Sequence, residues 1–193
     1  MSFILLIRSA KKDDAIQIVP LFTIILNEME LPSLKTIPAA KLTYVIEKSF
    51  ASPQYRGTPA QTLVAEINGK IAGFAWGYPD ENEHQVDEVM RSFFPEVGLP
   101  ASTQIFDDDE AFSAEWYLDS IAVSPEFQGQ GIGTALLKEL PQIAKNLGKT
   151  RIGLNVDWAN PKANKLYHKL GFIKNGTTKL SQHKYDHLIL KLN

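Results

Sequence analysis

Apolar positions recur along the chain in two rhythms, one of period near 3.6 and one of period 2. Phe3 to Arg8 reads as a short buried strand. Charged Lys11 to Asp14 follow, and acids there suit a helix N-terminus. Ile16, Val19, Ile24, Ile25 and Met29 predict a helix, with Pro20 expected to kink it. Pro32 and Pro38 mark a loop, and Leu42, Val45, Ile46 and Phe50 share one face of a second helix over 39–50. Leu63 to Ile67 and Lys70 to Trp76 flank Asn68-Gly69, the strongest local hairpin signal, since both residues tolerate the positive φ of a type I′ turn.

The pattern then loosens. From Tyr78 to Phe112 the chain turns acidic, and Val86, Val89, Met90, Phe93 and Phe94 have the spacing of a short amphipathic helix. Glu115 to Val123 reads as a strand, ended by Ser124-Pro125. A glycine-rich loop leads into a helix over 131–147 whose inner face is Ile132, Ala135, Leu136, Leu140 and Ile143, with Pro141 expected to bend it. Ile152 to Val156 is the next strand, and Pro161 to Leu170 a helix with proline in its first turn and Gly171 as its stop. Phe172-Ile173 and Tyr185 to Leu192 complete the strands, while Asn175-Gly176-Thr177 reads as a turn. Without repeats or low-complexity linkers, the expectation is one α+β domain over 1–193, carrying an acidic insert at 78–112.

Charge changes this picture more than composition does. The formal charge of −2 hides two opposed regions. Residues 80–115 hold eleven acids against Arg91, and residues 137–193 hold eleven bases against Glu139, Asp157 and Asp186. The absence of cysteine excludes a disulfide framework, a thiolate metal site and a cysteine nucleophile. The apolar run Phe3 to Ile7 is short for a secretory signal, and no run approaches the ~20 residues of a membrane span. A pI near 6.1 argues against generic nucleic-acid binding. A cytoplasmic protein without nucleic-acid or membrane partners is expected, as monomer or homodimer.

The run Val123-Ser124-Pro125-Glu126-Phe127-Gln128-Gly129-Gln130-Gly131-Ile132-Gly133-Thr134 carries the chemistry. A strand ends, glycines free the backbone, and a helix begins, so successive N–H groups converge at the positive end of a helix dipole. That is an anion site, against the plainer reading of a tight turn. A P-loop needs Lys and Ser/Thr after its last glycine, and a dinucleotide fingerprint needs glycine where Thr134 stands. Neither fits. His183 and His187 lie four apart in a segment that alternates like a strand and lacks a third ligand, so no metal is expected; His168 is expected on a helix surface.

Gln128-x-x-Gly131-x-Gly133, with Leu118 to Val123 before it and Ala135-Leu136-Leu137 after it, resembles the central motif of the GNAT superfamily of acyl-CoA-dependent N-acyltransferases. A second block agrees: Asn160-Pro161-Lys162-Ala163-Asn164-Lys165-Leu166-Tyr167-His168-Lys169-Leu170-Gly171-Phe172. The resemblance implies a twisted, mostly antiparallel mixed sheet of six to seven strands, flanked by helices and splayed at its centre. It implies acetyl-CoA as co-substrate, its pyrophosphate on the loop from Gln128 through Gly129, Gln130, Gly131, Ile132 and Gly133 to Thr134, with Gln128 bracing that loop. It also implies that pantetheine pairs with Ile121 and Val123 and is held by Asn160. Backbone N–H of Ala122 or Val123 would polarise the thioester. Lys162 and Lys165 are left either on the ribose phosphate or on a solvated helix face.

Tyr167 matches the family's general acid, since a phenol stays protonated at neutral pH. For the base, Asp119 comes first and Glu115 second, on the alternation of Glu115, Tyr117 and Asp119 along one strand; a bulge would shift that parity, and a water relay is the third option. Without cysteine, transfer is expected to be direct, within a ternary complex. The acidic insert, near the acceptor side, points to a small cationic amine, or else is a solvated loop. A peptide acceptor and a non-catalytic coenzyme-A-binding module are the alternatives. An ordered lid formed by Val86 to Phe94 would argue against the peptide.

Overall fold

The computed structural model describes residues 4–106 and 108–193. Among these, seven strands form one sheet: β1 (Leu5–Ser9), β2 (Gln61–Ile67), β3 (Lys70–Pro79), β4 (Trp116–Val123), β5 (Arg151–Asp157), β6 (Ile173–Leu180) and β7 (His183–Lys191). Their order is β1-β2-β3-β4-β5-β7-β6. Every neighbouring pair is antiparallel except β4 and β5. The helices are α1 (Ala15–Met29), α2 (Ala39–Ala51), the single turn α3 (Pro53–Arg56), α4 (Glu83–Ser92), α5 (Ile132–Asn146) and α6 (Pro161–Lys169).

Local chemistry explains these boundaries. Asn68 and Gly69 take φ of 51° and 79°, so the β2–β3 hairpin closes as its sequence predicts. Asn160 caps α6 through a 3.1 Å bond from the Ala163 N–H, and Pro161 follows where its missing donor costs nothing. Arg8 on β1 bridges Asp14, ahead of α1, at 2.6 Å and Glu66 of β2 at 2.7 Å. Helix α1 continues as one element through Pro20. The carbonyl that proline leaves without its helical donor belongs to Ile16, which is 65% exposed and open to water. Helix α5 likewise continues through Pro141.

Two cores lie on the two faces of the sheet. On one, α1, α2 and α4 cover Val64, Phe74, Trp76, Tyr78 and Tyr117, with the rings of Phe22 and Phe50 packed edge-on to Trp76 and that of Tyr55 tilted against it. On the other, Ile132, Leu136, Leu137 and Leu140 of α5 cover Leu63, Ala75, Trp116, Leu118 and Leu154. Strand β1 is an edge, and Leu5 and Leu6 stand exposed, so the expected buried strand is corrected for the described residues; Phe3 lies outside them. Asn175-Gly176-Thr177 is not a turn. It sits within β6, where the register against β7 slips by one residue at Asn175.

Strands β4 and β5 pair at just two positions, Trp116↔Ile152 and Tyr117↔Gly153. Beyond them the sheet splits. Glu115 closes that split at its base. Its carboxylate is fully buried, accepts the Phe112 N–H at 2.8 Å, and meets Nε2 of buried His187 on β7 at 3.1 Å. It fills the space over Gly153, where any added Cβ would overlap it. Gly153→Ala must therefore expel the carboxylate or separate the strands, an overpacking cost of about 3 kcal/mol. Urea denaturation should show a lower midpoint with an unchanged slope, and a wild-type midpoint would refute this account of the closed end.

Candidate active site

Past Tyr117 and Gly153 a cavity of about 500 Å³ opens between the parted strands. Its floor is Tyr117, Asp119, Ser120 and Ile121 of β4 with Asn155, Val156 and Asp157 of β5. Helix α1 contributes Phe22, Ile25, Glu28 and Met29, and α6 contributes Ala163 and Tyr167 behind Asn160. Phe106 and Glu110 from the long acidic connection, with Leu180, His183 and Tyr185 of the β6–β7 hairpin, complete the wall.

A bulge sets the face that each β4 residue presents. Trp76 pairs with Ser120 and Gly77 with Leu118, which leaves Asp119 as the extra residue. Before it, Tyr117 faces the α1 side and Leu118 the α5 side; after it, Ala122 faces α1 while Ile121 and Val123 face α5. The simple alternation of Glu115, Tyr117 and Asp119 therefore breaks. Glu115 is held at the closed end of the split and does not line the cavity. Asp119 does line it, accepting the Tyr78 hydroxyl at 2.9 Å and the Ser120 hydroxyl at 2.6 Å.

Burial pushes the Asp119 carboxyl up to about 7, because its remaining surface faces the cavity rather than bulk water; the two hydroxyls offset this in part, and Asp87 and Glu83 add to it. Tyr167 is 8% exposed, packs on Phe172 with ring centroids 5.7 Å apart, and is pushed to about 12 by burial. It stays a proton donor throughout the neutral range.

At the far end of β4 the chain turns through Pro125–Phe127 into the glycine loop. Gly129 and Gly131 take φ of 79° and 81°, and a Cβ would meet nothing at either, so backbone angle and not space requires glycine. Gly131 begins α5 without a side-chain cap, which leaves the first N–H groups, at Ile132, Gly133 and Thr134, for an outside acceptor. The Gln128 side chain donates to the Val123 carbonyl at 3.2 Å and bridges the loop back to the strand. Tyr167, Asp119, Ile121 and Asn160 thus meet at the cavity, and Ala122 and Val123 lead from it to the loop. Lys162 and Lys165 are exposed on α6 outside the cavity, Lys165 bordering a separate groove with Trp158, Lys174 and Asp186.

The acidic connection is mostly anchoring. Lys149 binds Asp80 at 2.6 Å and also Glu81. Asp80 accepts the Ala114 and Glu115 N–H groups, Glu83 those of Glu110 and Ala111, and Asp108 that of Ser181. Helix α4 inserts Val86 and Met90 into the core instead of lying as a lid over the cavity. Among the described residues Glu110 is the connection's one acid that lines the cavity, where its Oε2 accepts the Tyr117 hydroxyl at 2.8 Å. Burial and the charge of Asp119 push its carboxyl up as well. Nothing in the sequence marks Glu110 out from the other ten acids of residues 80–115; its tyrosine partner is the signal, and it appears only once β4 is placed.

His187 is fully buried under the stacked ring of Phe112, its Nδ1 2.8 Å from Asn155 Oδ1. His183 pairs with Asp157 at 2.8 Å. Among the described residues no group of three or more acids or histidines is arranged to hold a metal ion, and no helix is long and apolar enough to cross a membrane.

The sheet thus splits beside an uncapped, glycine-led helix start. The model of the acetyltransferase (GNAT) family matches residues 31–172, and the chain belongs to that family. A crystal structure of an acetyltransferase is 41% identical and superposes with a TM-score of 0.86, covering 97% of this chain and 100% of that one. An N-acetyltransferase from Staphylococcus aureus Mu50 is 33% identical, with a TM-score of 0.81 over 96% of this chain and 100% of that one. The thialysine N-epsilon-acetyltransferase of Mus musculus is 46% identical over 56 residues, 28% of this chain and 32% of that protein. The chain thus spans about a third of the curated relatives it matches.

A buried acid whose folded pKa lies above its unfolded value loses stability as pH rises between the two. For Asp119 that window runs from about 4, its unfolded value, to about 7. Asp119→Asn should match the wild type in melting temperature below the window, gain on it through the window, and keep a lead of a few degrees above it. Thermal unfolding from pH 4 to 8 tests this, and a constant or shrinking difference would refute it.

Proposed function

We propose that the chain transfers an acetyl group from acetyl-CoA to the primary amine of a small cationic molecule, by direct attack within a ternary complex. The observation that carries this reading is the continuity of β4. One strand joins an anion-accepting helix start to a cavity holding a buried, protonated phenol and a carboxylate of raised pKa. The loop Gln128 to Thr134 takes the pyrophosphate, and the exposed Lys162 and Lys165 of α6 meet the ribose phosphate. Pantetheine lies along the unpaired side of β4 at Ile121 and Val123, as an added strand would, and Asn160 holds it from α6. Backbone N–H of Ala122 or Val123 polarises the thioester carbonyl.

Asp119 removes a proton from the incoming ammonium, the free amine attacks the carbonyl carbon, the C–S bond breaks, and Tyr167 protonates the departing sulfur. The nitrogen loses its second proton as the amide forms, which returns Tyr167 to its phenol form, and Asp119 gives up the first to solvent, so one proton is released overall. Glu115 steadies the closed end of the split and takes no proton in this scheme. A cavity of about 500 Å³ suits a small acceptor better than a peptide. The mouse relative is named for a small amine substrate, which favours the same class.

Thiol release from acetyl-CoA across an amine panel tests the reading. Tyr167→Phe should lower kcat about a hundredfold or more while leaving the KM for acetyl-CoA within about threefold. The wild-type kcat/KM should fall as pH drops below about 7, where Asp119 takes up its proton, and Asp119→Asn should lose both the rate and that limb. Full activity in Tyr167→Phe with an unaltered pH profile would refute the assigned chemistry.

A further inference from the structure

The geometry points to Glu110 as the residue that selects the acceptor by binding a second positive charge on it, so that the preferred substrate is a primary amine carrying another protonated nitrogen, such as an α,ω-diamine. This rests on the reading of the cavity as the acceptor site. Four carboxylates line that cavity, from Glu28, Glu110, Asp119 and Asp157, with no lysine or arginine among the lining residues. Asp157 is matched by His183. Asp119 has both oxygens engaged, by Tyr78 and Ser120, and serves the reacting nitrogen. Glu110 differs: Tyr117 occupies Oε2, and among the described residues no group donates to Oε1. Glu110 lines the cavity, so one oxygen of a fixed carboxylate is left there without a donor.

Glu110 is also held in place before any substrate arrives. Its N–H donates to Glu83 at 2.7 Å, and its carbonyl accepts from Asn155 Nδ2 at 2.9 Å. The same amide donates to the Tyr117 oxygen at 3.1 Å, and its Oδ1 faces His187. An unbroken chain, Glu115–His187–Asn155–Tyr117–Glu110, therefore runs from the closed end of the strand split to the cavity. A carboxylate fixed this way loses little freedom on binding, which favours a cation at one defined distance from the reacting nitrogen. Two adjacent acids each oppose ionisation of the other, and a monoamine offsets just one of them. A diamine offsets both.

Calorimetric titration of the full chain, saturated with coenzyme A, tests this with 1,3-diaminopropane, 1,4-diaminobutane and 1,5-diaminopentane against monoamines of the same length. At least one diamine should bind about tenfold tighter than its monoamine, with the preference shrinking at high salt. Glu110→Gln should bring that diamine to the monoamine's affinity and raise its KM more than it lowers kcat, with coenzyme A affinity unchanged as proof of the fold. Tyr117→Phe, which frees Glu110 without removing its charge, should weaken the preference less. No diamine preference in the wild type, or a preference that survives Glu110→Gln, would overturn the assignment. Because binding is read apart from turnover, a diamine preference without acetyl transfer would support Glu110's role and sink the transfer reading instead.

Discussion

The parting of β4 and β5 after two paired residues is the constraint on which the rest of the molecule depends. A parallel pair that continued in register would satisfy the backbone of β4 on both sides and leave no cavity. Here the pairing stops at Tyr117 and Gly153, and β5 turns instead fully to β7. The departure needs a hinge that cannot slip. Glu115 supplies it by occupying the volume of a missing Cβ at Gly153 and meeting His187 across the sheet. A fully buried acid placed for mechanical reasons is costly unless partnered, and each of its oxygens has a partner.

That split also explains how the charges are used. A net charge of −2 says little, and even the division into an acidic middle and a basic C-terminal third is only a first sorting. In the folded chain one basic side chain, Lys149, ties down Asp80 and Glu81, and backbone N–H groups absorb Asp80, Glu83 and Asp108. These bonds fasten the long connection over the mouth of the split. What remains for chemistry is small: Glu110 and Asp119, each steadied by a tyrosine hydroxyl. Burial raises both carboxyls, at a cost in stability.

Features set by neighbours in the chain were legible in the sequence. The Asn68-Gly69 hairpin, the glycine-led start of α5 and the Asn160-Pro161 start of α6 each follow from backbone angles or caps that a few residues dictate. The family motifs ride on those same segments, so the fold class came with them. Features set by distant partners were not legible. The apolar run that forms β1 reads as buried, but among the described residues no strand lies beyond it in the sheet. Asn175-Gly176-Thr177 has turn composition, yet pairing with β7 holds it in a bulged strand. Glu110 looks like any other acid of its run until Tyr117 is seen to reach it.

The bulge at Asp119 joins these two kinds of information. Strict alternation along β4 would send Tyr117, Asp119 and Ile121 to one face and Leu118 and Ser120 to the other. One inserted residue exchanges the faces, so that Tyr117 packs toward α1 while Ile121 and Val123 pack toward α5. Asp119 sits at the crossover. It is the one position on the strand reached both by a hydroxyl from β3 and by its own neighbour Ser120, and it opens onto the cavity. Moving the bulge by one residue would hand that place to Leu118 or Ser120, neither of which titrates near neutral pH. The register slip against Trp76 and Gly77, more than the choice of an aspartate, is therefore what gives this strand a carboxylate where acyl transfer would need one.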